Sequence, residues 1–271
     1  MGDNPLGEYL RAHREALRLV DVGLDDDGRR RRVTGLRREE VAALAGISSE
    51  YYLRLEQGRE RHPSEQVLSA IARAMRLGPA SEEYLQRLVR PLPDRGYPTG
   101  NDGVASARLA ALVAAIPAPA FAHDRTLEVI AANPLAHALS PSFRMGVNLL
   151  HAVFTDPAVT SLYRNWPELA ERLVAYLRAY GAPSSHDARQ SELITELAAA
   201  SPRFSEIWRR QDVGAVASGV DLLMHPVVGE LELDFERLCF TGTEHPVIVI
   251  YHAAPDSASA RGLQRLAAAL A

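Results

Sequence analysis

The densest run of chemically capable side chains lies between Leu36 and Met75, LRREEVAALAGISSEYYLRLEQGRERHPSEQVLSAIARAM. Its pattern is helix, tight glycine turn, helix. Residues 37–45 read as a helix with Val41, Leu44 and Ala45 inward. Ala42 stands where two helices approach closely, and Gly46 supplies the left-handed residue that ends the first of them. Ser48 is placed to cap the next helix, which Ile47, Tyr52 and Leu55 anchor inward. Ser49, Glu50, Leu53 and Arg54 are left on one outward arc near a helix N-terminus, where a recognition helix meets base edges in a DNA major groove.

A second group with chemical capacity is the arginine run Arg29, Arg30, Arg31 and Arg32, in the glycine- and charge-rich stretch DVGLDDDGRRRRVTG. It reads either as a basic arm that tracks phosphates or enters a minor groove, or as a solvated loop. The chain holds 30 basic residues, all arginine, against 34 acids, a net charge of −4. Residues 1–95 carry +1 and residues 96–271 carry −5. A near-neutral domain still binds DNA when its arginines share one face, and Arg37 and Arg38 add to that cluster.

Other chemistries find little support. The single cysteine, Cys239, excludes an internal disulfide and a Cys-rich zinc site. It sits beside Phe240 and reads as a small buried hydrophobe. His225, His245 and His252 show no ligand spacing, so no metal is expected and structural roles are favoured. No phosphate-binding glycine loop, nucleophile elbow or other cofactor motif occurs, which argues against an enzyme. The first residues contain no apolar signal core. The charge-free stretch between Arg108 and Asp124 is shorter than the ~20 residues of a bilayer span and holds Pro117 and Pro119. A cytoplasmic protein without a membrane partner is expected.

The elements that must position these residues follow from periodicity. At ~100–200 residues per domain, 271 residues suggest two domains. Residues 1–90 read as five helices. Leu6, Leu10, His13 and Leu17 share a face of the first. Pro63 and Ser64 open a fourth that runs to Met75, and Ser81 caps a fifth that ends near Val89. Residues 91–105, rich in proline and glycine, read as a linker. Residues 106–271 read as a mixed α+β domain. A helix over 108–116 precedes two short strands around the His123–Asp124–Arg125 turn, and residues 156–211 are helix-rich. Leu231, Leu233 and Phe235 mark a half-buried strand, and Val247 to Tyr251 a buried one paired with it as an antiparallel hairpin. A helix over 257–270 closes the chain.

The string GLRREEVAALAGISSEYYLRLEQGR closely resembles the XRE-type, lambda-repressor-like helix-turn-helix of the MmyB-like subfamily of regulators. The likeness extends through VIAANPLAHAL, FTDPAVTSLYRNW, ELAAASPRFSEIW and HPVVGELELDFERL. It implies an α+β chain made of an all-α five-helix DNA-binding domain and a C-terminal domain with a PAS-like fold. It also implies roles. Ser49, Glu50, Leu53 and Arg54 fall on base-reading positions, with Arg54 suited to guanine and Glu50 to a cytosine amine. Arg37, Arg38, Tyr51, Gln57, Arg59 and Arg61 fall where such domains hold phosphates, with Arg30, Arg31 and Arg32 added by the basic run. Arg14 and Glu56 match a structural ion pair. The C-terminal domain is implied to bind a small apolar, fatty-acid-like ligand. Asn133, Phe154, Tyr176 and Trp208 are candidate pocket residues there, although the sequence favours a turn or helix cap for Asn133 and plain core for each aromatic taken alone.

The reading that results is a homodimeric, sequence-specific regulator of double-stranded DNA tuned by a small ligand. The alternative is a constitutive repressor whose C-terminal domain only dimerises.

Overall fold

The computed structural model describes residues 4–25, 35–90, 102–181, 188–214, 216–240 and 246–270. The chain divides into two compact units. One holds the described residues up to 90 together with Ala188 and Glu206–Gly214; the other holds the rest.

In the first unit, helices α1 (Pro5–Ala16), α2 (Arg38–Ala45), α3 (Ser49–Glu56), α4 (Glu65–Ala74) and α5 (Pro79–Val89) surround one apolar core. Each starts where local chemistry dictates. Asn4 caps α1 by accepting from the Gly7 amide at 3.1 Å, with Pro5 in the first turn. Ser64 caps α4 through the Val67 amide at 3.3 Å. α5 begins at Pro79, two residues before Ser81, because proline is pre-set for the first helical position and Gly78 takes the cap. Leu6, Tyr9 and Leu10 line one stripe of α1 and are buried with Val41, Tyr52 and Leu55. Leu44 departs from the expected pattern. It is 39% exposed, while Val41 and Ala42 supply the buried face of α2.

The second unit begins with α6 (Asp102–Ala115) and the strands β1 (Ala120–His123) and β2 (Val129–Ala132). Five helices follow: α7 (Pro134–Leu139), α8 (Leu149–Thr155), α9 (Pro157–Leu162), α10 (Trp166–Tyr180) and α11 (Ala188–Ala200). α12 (Pro202–Arg209), which clusters with the first unit from Glu206 on, precedes β3 (Ser218–His225), β4 (Gly229–Cys239), β5 (Val247–His252) and α13 (Ala258–Ala268). Among the described residues the strands form one antiparallel sheet in the order β2-β1-β5-β4-β3. The α+β class and the hairpin pairing of the last two strands are therefore observed.

Register assigns the faces. Phe121, His123, Val249, Tyr251, Phe235 and Arg237 share one side of the sheet. Ala120, Ala122 and Ile248 share the other, where Leu109 and Val113 of α6 pack. β3 has no counterpart among the strands expected from sequence, and its alternation explains why. It buries Asp221, Leu223 and His225 and exposes Val220, Leu222 and Met224, a near-inversion of the polar-out rule. Asp221 tolerates burial because Arg172 and the Tyr251 hydroxyl donate to it at 2.6 and 2.7 Å. His225 accepts from the Val227 amide through Nδ1 and so donates from Nε2 to the Ala138 carbonyl at 2.9 Å, a structural role. Cys239 is exposed at the end of β4, not buried, since the strand runs past the inward-facing stretch that covers Leu231 to Phe235.

Gly46 links α2 to α3 at φ 68, in the left-handed region. Gly46→Ala should destabilise the first unit by about 1–2 kcal/mol through backbone strain alone, because nothing lies within 4 Å of the added methyl. Urea denaturation of wild type and variant measures this.

Candidate DNA interface and ligand cavity

The helix-turn-helix is assembled around one buried carboxylate. Glu56, at the last turn of α3, is wholly buried. Its Oε1 accepts from Arg14 Nε at 2.6 Å and its Oε2 from Arg38 Nε at 2.7 Å. Arg14 is itself 3% exposed and donates a further bond to the Leu36 carbonyl at 2.9 Å. α1 also holds the Glu56 backbone, for the Asn4 side-chain amide donates to its carbonyl at 2.9 Å. Gly7 permits that approach, since a Cβ there would stand 2.3 Å from the same carbonyl oxygen. One residue therefore ties α3 to α1 by backbone and side chain, and to α2 by side chain. Burial alone would raise the Glu56 pKa, but the hydrogen bonds and charges of Arg14 and Arg38 outweigh it and hold the carboxyl below its ordinary value.

Pinned this way, α3 presents its opposite side to solvent. Ser48 caps it through the Tyr51 amide at 3.1 Å. Ser49, Glu50 and Arg54 are exposed and Leu53 is half-buried, while Tyr52 and Leu55 fill the core. Arg54 rests 3.9 Å from Glu50 and 5.6 Å over the half-buried Tyr51 ring. An exposed pair of this kind contributes only ~0.2–1 kcal/mol, so Arg54 can leave it for a better acceptor. The Arg54 carbonyl accepts from the Arg59 and Glu60 amides, which folds residues 58–60 back over the end of α3 and keeps Arg59 beside it. Gln57, Arg59 and Arg61 are exposed.

Arg38 is 45% exposed as a side chain, so it serves Glu56 through Nε and keeps part of its guanidinium in water. Arg37 is half-buried and forms the cap of α2, where the Glu40 carboxylate accepts its backbone N–H at 2.6 Å. Arg30, Arg31 and Arg32, like Arg29, lie outside the described residues.

In the second unit the sheet face that carries Phe121 and Tyr251 closes against α8 and α10 to leave a cavity of about 50 Å3. Its walls are aromatic (Phe121, Phe143, Tyr163, Phe235, Tyr251) and aliphatic (Leu127, Leu149, Val153, Leu169, Leu173). The polar lining is His123, Ser142, Arg172 and Arg237. Arg172 is neutralised by Asp221, and Tyr251 joins the same carboxylate. Burial, followed by the Asp221 charge, pushes the Tyr251 phenol well above its ordinary value, so it remains a donor.

The four pocket residues proposed from sequence stand outside this lining. Asn133 caps α7 through the Ala136 amide at 2.9 Å and donates to the Ala118 carbonyl at 2.7 Å, which exhausts a buried amide on backbone. Phe154 packs edge-on against Trp166 and Phe204. Tyr176 lies under the Arg237 guanidinium, 3.7 Å from ring centroid to carbon. Trp208 belongs to the segment that clusters with the first unit. The lining residue that sequence could have flagged is Arg237, a charge in register with Leu231, Leu233 and Phe235 on the inward face of β4.

A clamped helix-turn-helix with an exposed second helix defines a DNA-binding transcription regulator. Residues 5–85 match the family model for a helix-turn-helix domain. Residues 105–266 match the model for the MmyB-like transcription regulator ligand binding domain, and the chain belongs to that family. Both models describe regulator modules, not enzymes. No curated protein matches the chain. Among the described residues no helix is long and apolar enough to cross a membrane.

Two outcomes follow from the Glu56 clamp. Glu56→Gln should cost about 3–5 kcal/mol of stability, because it strands a buried guanidinium. The folded-state pKa of Glu56 is depressed, so its contribution is complete above the unfolded value and is lost as pH falls through the folded one. Urea midpoints should therefore fall more steeply below about pH 4.5 in wild type than in Glu56→Gln.

Proposed function

We propose that the chain is a homodimeric, operator-specific regulator whose DNA affinity is set by a small apolar molecule held in the C-terminal unit. The observation that carries the DNA half of this reading is the solvent-facing Ser49–Arg54 arc on a helix whose other side is locked to α1 and α2 through Glu56. Arg54 supplies a guanidinium for guanine O6 and N7, and Glu50 an acceptor for a cytosine amine. Arg37, Arg38, Tyr51, Gln57, Arg59 and Arg61 surround that arc in sequence and supply phosphate contacts, with Arg30, Arg31 and Arg32 as a basic arm.

Two copies would set their α3 helices in successive major grooves of an inverted repeat, about 34–36 Å apart. The exposed apolar side chains Leu112, Val220, Leu222, Met224 and Leu238 of the second unit support self-association. The cytoplasm is the compartment for such a protein.

Ligand control rests on the family membership and the apolar cavity. A ligand shifts DNA binding only by its differential affinity for two arrangements of the protein, typically ~1–3 kcal/mol. The alternative, a constitutive repressor whose second unit only dimerises, draws support from the cavity volume. About 50 Å3 is well below the ~150 Å3 that admits benzene, so a fatty-acid-like ligand would have to part the walls.

Selection on random duplex DNA should return an inverted repeat. Arg54→Ala should then lose about 1–3 kcal/mol on that operator and little on unrelated DNA. An equal loss on both would assign Arg54 to the backbone. Mass spectrometry of molecules released from the purified chain, followed by operator titration with and without them, separates ligand control from constitutive binding.

A further inference from the structure

Two arginines line the cavity, and they differ in kind. The Arg172 guanidinium has its counter-charge in Asp221 at 2.6 Å. Among the described residues Arg237 has no carboxylate within ion-pair distance. It lies flat over the Tyr176 ring, with its guanidinium carbon 3.7 Å from the centroid. Among the described residues its one side-chain hydrogen-bond partner is the His123 ring, where Nη2 and Nε2 are 3.2 Å apart. His123 is 1% exposed, and its Nδ1 lies 2.7 Å from the Asp124 carbonyl. A carbonyl only accepts, so Nδ1 carries the proton and the bare Nε2 accepts from Arg237. His123 in that tautomer is neutral. Arg237 is thereby held in place by a ring beneath and a ring beside it, neither of which cancels its charge, and its Nη2 keeps a second hydrogen that pairs with Nε or Nη1 along one edge of the guanidinium at the wall of an apolar space.

The apolar side of that space is also specific. Phe121 and Phe143 stack at 4.3 Å with 21° between their planes, and Phe143 stacks on Tyr251 at 5.6 Å and 26°. A flat ring extends such a series favourably. A half-buried guanidinium held flat, retaining one two-donor edge that includes the second Nη2 hydrogen, matches a carboxylate.

We infer that the C-terminal cavity selects an aromatic monocarboxylate, with its carboxylate on Arg237 beside His123 and its ring against Phe121 and Phe143. The inference rests on the proposed ligand control and adds the ligand class and the residue that selects it. Arg172 plays no part in head-group selection, since Asp221 already satisfies it. The volume of about 50 Å3 means that the walls separate as the ring enters.

Phenylacetate and its neutral isostere phenylacetamide test this by isothermal titration of the full chain. Wild type should bind the acid at least tenfold more tightly than the amide. Arg237→Gln should bring the acid down to the level of the amide while leaving the amide unchanged, and Arg237→Lys should retain part of the preference. A thermal midpoint for each variant establishes folding, and the wild-type comparison needs no variant at all. Equal binding of acid and amide by wild type overturns the charge selection and leaves ligand control of an apolar cavity standing. Binding of neither overturns the aromatic-acid class. Ligand control itself falls only if no molecule released from the purified chain alters operator affinity.

Discussion

The first unit depends on a charge with no route to water. Glu56 is buried completely, and an isolated carboxylate there would cost far more than the unit could bear. Two arginines from different helices resolve this, each through Nε, and the geometry they impose is what sets α3 against α1 and α2. The clamp has a second consequence. With Tyr52, Leu55 and Glu56 all directed inward, the helix has only one way to face, and Ser49, Glu50 and Arg54 are left in solvent. The recognition surface is what remains of α3 after its structural obligations are met.

The second unit uses the same device for a different end. Asp221 is equally buried and is satisfied by Arg172 and Tyr251. It fixes a cavity wall and neutralises one of the two lining arginines. In the first unit an arginine pair serves one carboxylate, whereas here one carboxylate leaves an arginine over. That surplus is the electrostatic signature of the cavity, and it stands on the aromatic face of the sheet. Low dielectric makes both buried networks costly to break and makes Arg237, which has no carboxylate partner among the described residues, receptive to an anion.

The α+β class, the five helices of the first unit and the two family modules were legible from the chain. Glycine and capping residues punctuate it clearly, and the apolar period of 3.6 is strong. Gly46 in the left-handed region and Ser48 on the Tyr51 amide are local consequences of local residues. The same holds for Asn133, whose position before Pro134 fits a helix cap, and the fold uses it as one. Leu44 departed from expectation because Val41 and Ala42 supply the buried face of α2, and Ser81 because a proline starts its helix two residues earlier.

By itself the sequence determined where helices begin and end, which face of α3 carries polar side chains, and that two modules follow one another. Tertiary structure alone decided the rest. β3 hides its identity because its inward residues include Asp221 and its outward ones are apolar, and only the arrival of Arg172 and Tyr251 from distant elements makes the burial of Asp221 possible. The cavity draws on segments from Phe121 to Tyr251, and no spacing rule connects Arg237 to His123, 114 residues away. Local order is set by short-range backbone and capping energetics, which a string of residues displays. Which charges neutralise one another is set by long-range contacts between buried groups, and those exist only once the chain has folded.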